Sequence, residues 1–365
     1  MKIKELTRYL EEFAPLSLQE DYDNSGLIVG EAEAEITGVL ISLDMTEAVV
    51  AEAVEKGCNL IVAHHPIVFR GLKRLNGNNY VERTVIAAIK NDVALYAIHT
   101  NLDNVQGGVN YKIGEKLHLK NMKILQAKSL NLLHLTVFVP QGSSSAEVLR
   151  AMHKAGAGQI GKFSDCSFQA GGIGSFRPDA DAQPALGQRG ALEQVEENRI
   201  EVILPKHKKN AVLQAMKAAH PYEEVAYYLE ELENENQETG SGVIGVLPQE
   251  MSQQEFLAHV KKEMGLELIR FTPVDKGIRT VAVCGGSGSF LLKSALAQGA
   301  DAFVTADYKY HEFFDAEGKV LIADIGHFES EVFTKDLLEE IISKKITNFA
   351  SYLSEVNTNP VNYYY

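Results

Sequence analysis

The sequence predicts an α/β protein. Two α/β halves, about 1–126 and 243–365, form one discontinuous domain, and an inserted ferredoxin-like α+β module occupies 127–235. Three observations predict this. Apolar strand-like runs alternate with helix-length amphipathic stretches in both outer segments, the pattern of parallel β-α-β units. The middle segment follows a β-α-β-β-α-β order, that of a ferredoxin-like unit. Residues 233–242 (ENENQETGSG) read as an acidic, flexible linker of the kind found at domain boundaries.

In the first half, residues 3–13 (IKELTRYLEEF) place apolar side chains at helical spacing. Strands are expected at 26–30 and 36–43, a helix at 46–56, and a buried strand at 58–63. A helix near 80–91 then precedes a strand at 93–98. In the middle segment, 132–139 reads as a strand and 146–154 as a helix, followed by a Gly-rich strand-turn region through 171–175. A Pro-, Ala-, Gln- and Gly-rich exposed loop is expected at 177–198, a strand at 199–204, a helix at 206–219 and a strand at 223–229. The α/β rhythm resumes with a helix at 252–264, a strand at 280–284, a helix at 290–298 and strands at 302–305 and 320–325. A long helix is expected from 329 to 343, and the last ~15 residues read as a tail with no assignable function. The segments 41–65 and 281–307 resemble each other weakly, as two facing half-domains would, or as any two β-α-β units do.

Composition narrows the function classes. The chain is 45% hydrophobic and 23% charged, values of a globular protein. The start shows no apolar signal region, and no apolar run approaches the ~20 residues that span a bilayer. Three cysteines far apart, with no C-x-x-C pair, argue against a disulfide framework and a thiolate zinc site. Cys58 and Cys284 read as small core residues. A net charge of −14 without a dense Lys/Arg stripe disfavours nucleic acid. The expectation is a cytoplasmic, reduced, acidic protein.

The residues that carry chemistry gather where strands should end, the place where open α/β sheets collect ligands. His64-His65-Pro66 closes one buried strand. Strand alternation sends adjacent side chains to opposite faces, so the two imidazoles suit one ion each of a pair, or are surface histidines beside a turn. The next strand ends in His99-Thr-Asn-Leu-Asp103. Asp103 is a candidate bridging carboxylate, and His99 a ligand, an orienting partner or a proton carrier. A third strand ends in Gly-His327-Phe-Glu-Ser-Glu331, where four-residue spacing puts His327 and Glu331 on one helix face. Glu329 is left to compensate the helix N-terminal charge. Three histidines and two carboxylates suit zinc, iron or manganese. Gly285-Gly286-Ser-Gly288 opens a helix and either cradles an anion or makes a tight turn. Asp307, Lys309 and His311 lie at another strand end, as acid, anion holder and proton donor of the same cavity or as surface loop residues.

This ordered set of motifs, across about 1–125 and 243–350, resembles the Nif-three-like dinuclear metal-centre family, whose members carry the name GTP cyclohydrolase 1 type 2 homologues. The resemblance implies two divalent metal ions on His64, His65, Asp103, His327 and Glu331. Where family members often have a second His before the Asp-Ala pair, this chain has Tyr310-His311. The insert, with His220-Pro-Tyr-Glu-Glu224, is similar to CutA- and PII-like modules of longer bacterial members, and implies a homo-oligomer, a hexameric ring.

The first expectation for function is a metal-dependent hydrolase in which paired cations activate a water. If the cyclohydrolase name applies, the target is the imidazole carbon of the GTP guanine, with Lys309 or the Gly285–Gly288 turn receiving the triphosphate. His99 and His311 are then candidate proton carriers. Alternatives are a metal-dependent phosphoesterase and a non-catalytic metal-handling or regulatory scaffold protein.

Overall fold

A computed structural model of the protein describes residues 1–129, 131–183, 185–345 and 349–364. Tyr365, which ends the expected tail, lies outside the described residues, as do Leu130 and Pro184 of the expected insert. The chain divides into two compact units, 1–126 with 238–365, and 127–237.

In the first unit the chain opens with α1 (Ile3–Phe13), β1 (Gly26–Val29), β2 (Gly38–Ser42), α2 (Glu47–Glu55) and β3 (Leu60–Ala63). It continues through α3 (Tyr80–Lys90), β4 (Ala94–Ala97), α4 (Thr100–Asp103), α5 (Val109–Lys116) and β5 (Lys120–Lys128). The second unit comprises β6 (Leu132–Pro140), α6 (Ser143–Lys154), β7 (Phe168–Phe176), β8 (Glu193–Pro205), α7 (Lys209–Ala219) and β9 (Tyr227–Leu232). The chain then returns with β10 (Asn236–Met251), α8 (Gln253–Glu263), β11 (Arg270–Phe271), β12 (Ile278–Ser287) and α9 (Leu292–Ala297). It ends with β13 (Ala302–Ala306), β14 (Leu321–Asp324), α10 (His327–Glu331), α11 (Thr334–Ser343) and β15 (Ala350–Leu353).

The first unit holds two sheets, in the orders β1-β4-β3-β2-β15 and β11-β14-β13-β12-β10-β5. Their central strands are parallel: β2 with β3, β3 with β4, β12 with β13, and β13 with β14. Strands β2, β3 and β4 are buried along their whole length, as parallel strands covered on both faces must be. Alternate residues divide between layers. Ile41, Val62 and Tyr96 join Val283, Val304 and Ala323 of the other sheet in a shared core with α1, α5, α8 and α11. Leu40, Ile61 and Leu95 pack outward with residues of α2 and α3, and Phe303 and Ile322 pack outward with residues of α9. Each such Val, Leu, Ile or Phe side chain contributes about 1.5–3 kcal/mol of burial. Thr46 and Asn79 cap α2 and α3, and Ser252 with Glu255 makes a capping box on α8.

In the second unit the sheet order is β7-β8-β6-β9, with antiparallel pairings. Val148 and Met152 of α6 and Val212 and Met216 of α7 share one core with Leu135, Val137 and Val202 of the sheet.

Four features depart from the sequence reading. The 233–242 stretch is not free of structure, because β10 begins at Asn236; Gly240 donates to the Asn104 carbonyl (2.9 Å), a backbone bond that composition does not reveal. Strand β8 begins at Glu193, inside the expected loop, pairing with Phe176 along a polar, exposed arm that carries little apolar alternation. The expected long helix is two helices, α10 and α11, interrupted at Val332 and Phe333. The supposed tail supplies β15, which pairs in parallel with β2. With β5 in the opposite sheet, each half therefore lends an edge strand to the other.

Candidate metal centre

The carboxyl ends of the parallel strands of both sheets meet at one place. His64 and His65 follow the last residue of β3, so the alternation expected of strand neighbours no longer applies, and their ring centroids lie only 4.9 Å apart. Asp44 follows β2, His99 follows β4, Asp307 follows β13, and His327 with Glu331 sits on α10 after β14.

His64 is fully buried, and its Nδ1 donates to the Ile98 carbonyl at 2.9 Å. A carbonyl only accepts, so the proton is on Nδ1 and Nε2 is turned inward. That Nε2 lies 3.7 Å from Asp103 Oδ1 and 3.9 Å from Glu331 Oε1, beyond hydrogen-bond reach. Both Nε2 of His64 and Oδ1 of Asp103 are enclosed without a hydrogen-bond partner. Facing acceptor atoms that lack partners are costly unless a cation or donor joins them, so the donor set fits a metal ion.

On the other side of Glu331, His65 Nε2 is 2.9 Å and His327 Nε2 3.1 Å from Oε2, and the two Nε2 atoms are 3.4 Å apart. Glu331 thus directs one oxygen toward His64 and the other toward His65 and His327. Asp103, the expected bridge, faces His64. Each of the paired histidines presents Nδ1 to a carboxylate at 2.7 Å, His65 to Asp44 and His327 to Asp307. This carboxylate–histidine arrangement fixes the tautomer and turns Nε2 toward the centre. Two groups, His64 with His65 and His99, and His65 with His327 and Glu331, could each hold a metal ion, their ligand atoms lying within 4.8 Å of one another.

The electrostatics of the cluster reflect this crowding. Burial lowers the basicity of His65, but Asp44 and Glu331 outweigh it and hold the imidazole up at about 9. The same balance, with Asp307 and Glu331, holds His327 up at about 11. Burial pushes the Asp103 carboxyl up against the pull of His64. Burial also opposes ionisation of Glu331, yet its histidine partners, His327 first, keep it well below the usual carboxylate range.

His99 is held by Asp23, whose Oδ1 lies 2.7 Å from Nδ1, while Asp23 Oδ2 accepts from the Thr100 backbone (3.0 Å) and hydroxyl (2.5 Å). Burial works against the Asp23 charge, but the His99 and Thr100 contacts hold its pKa far below normal. Asp23 sits in the loop before β1 and carries no periodic signal in the sequence. Asp44 does carry one, a polar residue just past a strand, and the same rule that singled out His65 finds it.

The glycine turn serves the site differently from expectation. The Gly285 amide donates to Asn110 Oδ1 and the Gly286 amide to Ser330 Oγ, both at 2.9 Å, so neither is offered to a phosphate. A Cβ on Gly286 would stand 2.6 Å from Glu331 Oε1, and Gly286 adopts φ +59°. Glycine there makes room for the Glu331 carboxylate. At Gly288 a Cβ would meet Thr305 Oγ1 at 2.4 Å, the mark of close packing. Lys309 extends into solvent, 84% exposed, and His311 stacks on Phe314; neither lines the cavity. Cys284, expected as a core residue, is buried and also lines the cavity.

That cavity measures about 1090 Å³ and reaches His65, His99, Asp103, His327 and Glu331. Phe69, Tyr80, Phe290, Phe328 and Tyr363 give it an aromatic wall. Arg270 is the one Lys or Arg among the described residues that line it, and its guanidinium is paired with Asp324. No helix among the described residues is long and apolar enough to cross a membrane.

Comparison with known proteins places this arrangement. The family described as Duf34/NIF3 (NGG1p interacting factor 3) matches residues 1–360. A protein of Halalkalibacterium halodurans named GTP cyclohydrolase 1 type 2 homolog is 40% identical over 356 residues, spanning 96% of this chain and 95% of that one. A Bacillus subtilis protein of the same name is 36% identical over 98% of this chain and 97% of its own. The crystal structure of a Bacillus cereus protein related to NIF3 superposes with a TM-score of 0.86 at 37% identity, covering 100% of this chain and 99% of that one. Matched over residues 1–360, which include every strand end that brings a histidine or carboxylate to the centre, the chain belongs to the DUF34/NIF3 family.

Proposed function

We propose that the chain is a hydrolase that works with two divalent metal ions held by His64, His65, Asp103, His327 and Glu331. One observation carries the reading: Glu331 turns one carboxylate oxygen toward His64 Nε2 and the other toward His65 Nε2 and His327 Nε2, with unpartnered His64 Nε2 and Asp103 Oδ1 enclosed beside it, below a large cavity. Bound there, a pair of zinc, iron or manganese ions would supply Lewis acidity to a water and to a substrate oxygen or nitrogen. The chain's own residues do the rest. Asp44 and Asp307 hold His65 and His327 with Nε2 inward. His99, steadied by Asp23, is placed to take up and return a proton at the cavity floor. The aromatic wall suits a flat ring, and excludes water from it.

The name of the relatives, GTP cyclohydrolase 1 type 2 homolog, suggests hydrolytic opening of a purine ring with release of formate. The cavity offers a ring more partners than it offers a triphosphate, since Lys309 does not line it, the Gly285 and Gly286 amides are already bonded to Asn110 and Ser330, and Arg270 is paired. The test is formate release by metal-loaded protein from GTP and from guanosine. Metal-dependent release that is lost on His99→Gln, with metal still bound, supports the reading. No release from either, with both ions bound, removes the cyclohydrolase assignment and leaves phosphoester cleavage or metal handling. The family resemblance extends the proposal to a cytoplasmic homohexameric ring, which sedimentation velocity reads directly.

A further inference from the structure

We propose that the segment after β15 is a working part of the metal centre, with Thr358 as a positioning residue that acts on His65 through Asp44. The inference rests on the metal-centre reading above and concerns residues that nothing in the sequence singled out.

The segment is fastened at its start. Ser354 donates through its amide to the Ile41 carbonyl (2.8 Å) and through its hydroxyl to Glu52 Oε2 (2.5 Å), while the Glu355 amide reaches Glu52 Oε1 (2.9 Å). From this anchor on the first sheet the chain crosses the carboxyl edge of the strands. There the Thr358 hydroxyl donates to Asp44 Oδ2 at 2.5 Å, and Asp44 Oδ1 faces His65 Nδ1 at 2.7 Å. His65 in turn lies 2.9 Å from Glu331. The next residue makes the second attachment: Asn359 Nδ2 donates to Glu329 Oε1 at 3.0 Å, and Tyr363 O–H reaches the same oxygen at 3.4 Å. Glu329 is on α10, between His327 and Glu331. One short stretch without helix or strand therefore grips a carboxylate behind His65 and the helix that carries His327 and Glu331.

The chemistry of the Asp44 contact is specific. A carboxylate held at one oxygen can still rotate about its Cβ–Cγ bond and let the imidazole tilt. A hydroxyl bound to the second oxygen fixes the plane, and so the direction of His65 Nε2. Outer partners of this kind typically change metal affinity 10–100-fold when removed. Thr358, Asn359, Pro360, Val361 and Tyr363 also form part of the cavity wall, so the same segment shapes the space above the centre.

The experiment compares wild type, Thr358→Val and Thr358→Ser as full-length protein, metal-stripped and then titrated with cobalt(II) and zinc(II). Affinity is read by competition with a chromophoric chelator, and geometry by the visible absorption of the cobalt form. Melting in excess chelator monitors the fold. The proposal expects Thr358→Val to bind at least one ion about tenfold more weakly, with an altered cobalt spectrum. Thr358→Ser, which keeps the hydroxyl, should restore both, and all three proteins should melt alike without metal. Unchanged affinity and spectrum in Thr358→Val would overturn the inference while leaving the metal centre intact. Equal impairment of Thr358→Ser would also overturn it, because the methyl and not the hydroxyl would then matter. Wild type that binds neither ion would sink the metal-centre reading itself, and this inference with it. If Thr358→Val does not fold, Asp44→Asn with Thr358→Ser puts the same question at the acceptor: unaltered cobalt spectra in both contradict the proposal, and an altered Asp44→Asn spectrum beside a wild-type Thr358→Ser one supports it.

Discussion

Replacing Gly286 by alanine isolates the fit between the glycine turn and the candidate metal centre. The backbone there is left-handed, φ +59°, which costs a residue with a Cβ about 1–2 kcal/mol. The new Cβ would stand 2.6 Å from Glu331 Oε1 and 3.1 Å from His327 Cε1, while ordinary contact begins at 3.4 Å. Glu331 must retreat by several tenths of an ångström, more than the ~0.2 Å that metal–ligand distances tolerate. Gly299→Ala is the matched control, since Gly299 has φ +74° with nothing within 4 Å of its would-be Cβ. Thermal unfolding in excess chelator should show both variants destabilised by about 1–2 kcal/mol, a fall of roughly 1–2 °C per kcal/mol for a protein of this size. Competition with a chromophoric chelator should show metal affinity reduced about 10–100-fold in Gly286→Ala alone. Equal metal affinity in the two variants would refute the steric argument and the placement of Glu331 beside the turn.

Three further outcomes follow from the same structure. Phe256→Ala removes a fully buried ring from the core shared by the two sheets; it should destabilise the protein by about 3–5 kcal/mol in urea unfolding. His220 in the second unit is pushed below its ordinary pKa by burial, against its bond to the Phe138 carbonyl. A lowered histidine favours the neutral form in the fold, so its stabilisation is complete above the unfolded value of about 6.5 and is lost as pH falls through the folded one. Urea unfolding of wild type should therefore weaken between pH 7.5 and pH 5.5 by more than that of His220→Gln. Finally, adding zinc(II) to chelator-stripped protein should raise the melting temperature progressively with free metal; Asp103→Ala should show a much smaller rise.

The sequence carried the repetitive part of the fold because burial is periodic. Strands β2, β3 and β4 are buried at every position and mostly apolar, and α1 and α3 have clear faces, so their places follow from the apolar pattern. Strands held mainly by backbone pairing were hidden. Asn236 to Gly242, at the start of β10, reads as a polar joint, and β15 as a loose end, because neither has an apolar face of its own. The site showed the same division. His64, His65, Asp103, His327 and Glu331 stand at strand ends, where chemistry collects, and the structure gathers them around one cavity floor. Asp23, Thr358 and Asn359 come from irregular segments, where no local pattern announces a role. Lys309 and His311 have the right chemistry but face away from the cavity, since the turn after Asp307 carries them outward.

The central claim is tested most directly by the metal content of purified full-length protein, measured by plasma mass spectrometry beside native mass spectrometry. Two metal ions on one set of five ligands predict about two transition-metal ions per chain in wild type, and clear loss in Asp103→Ala at unchanged fold. Protein that retains no zinc, iron or manganese after stripping and reconstitution with each would contradict it.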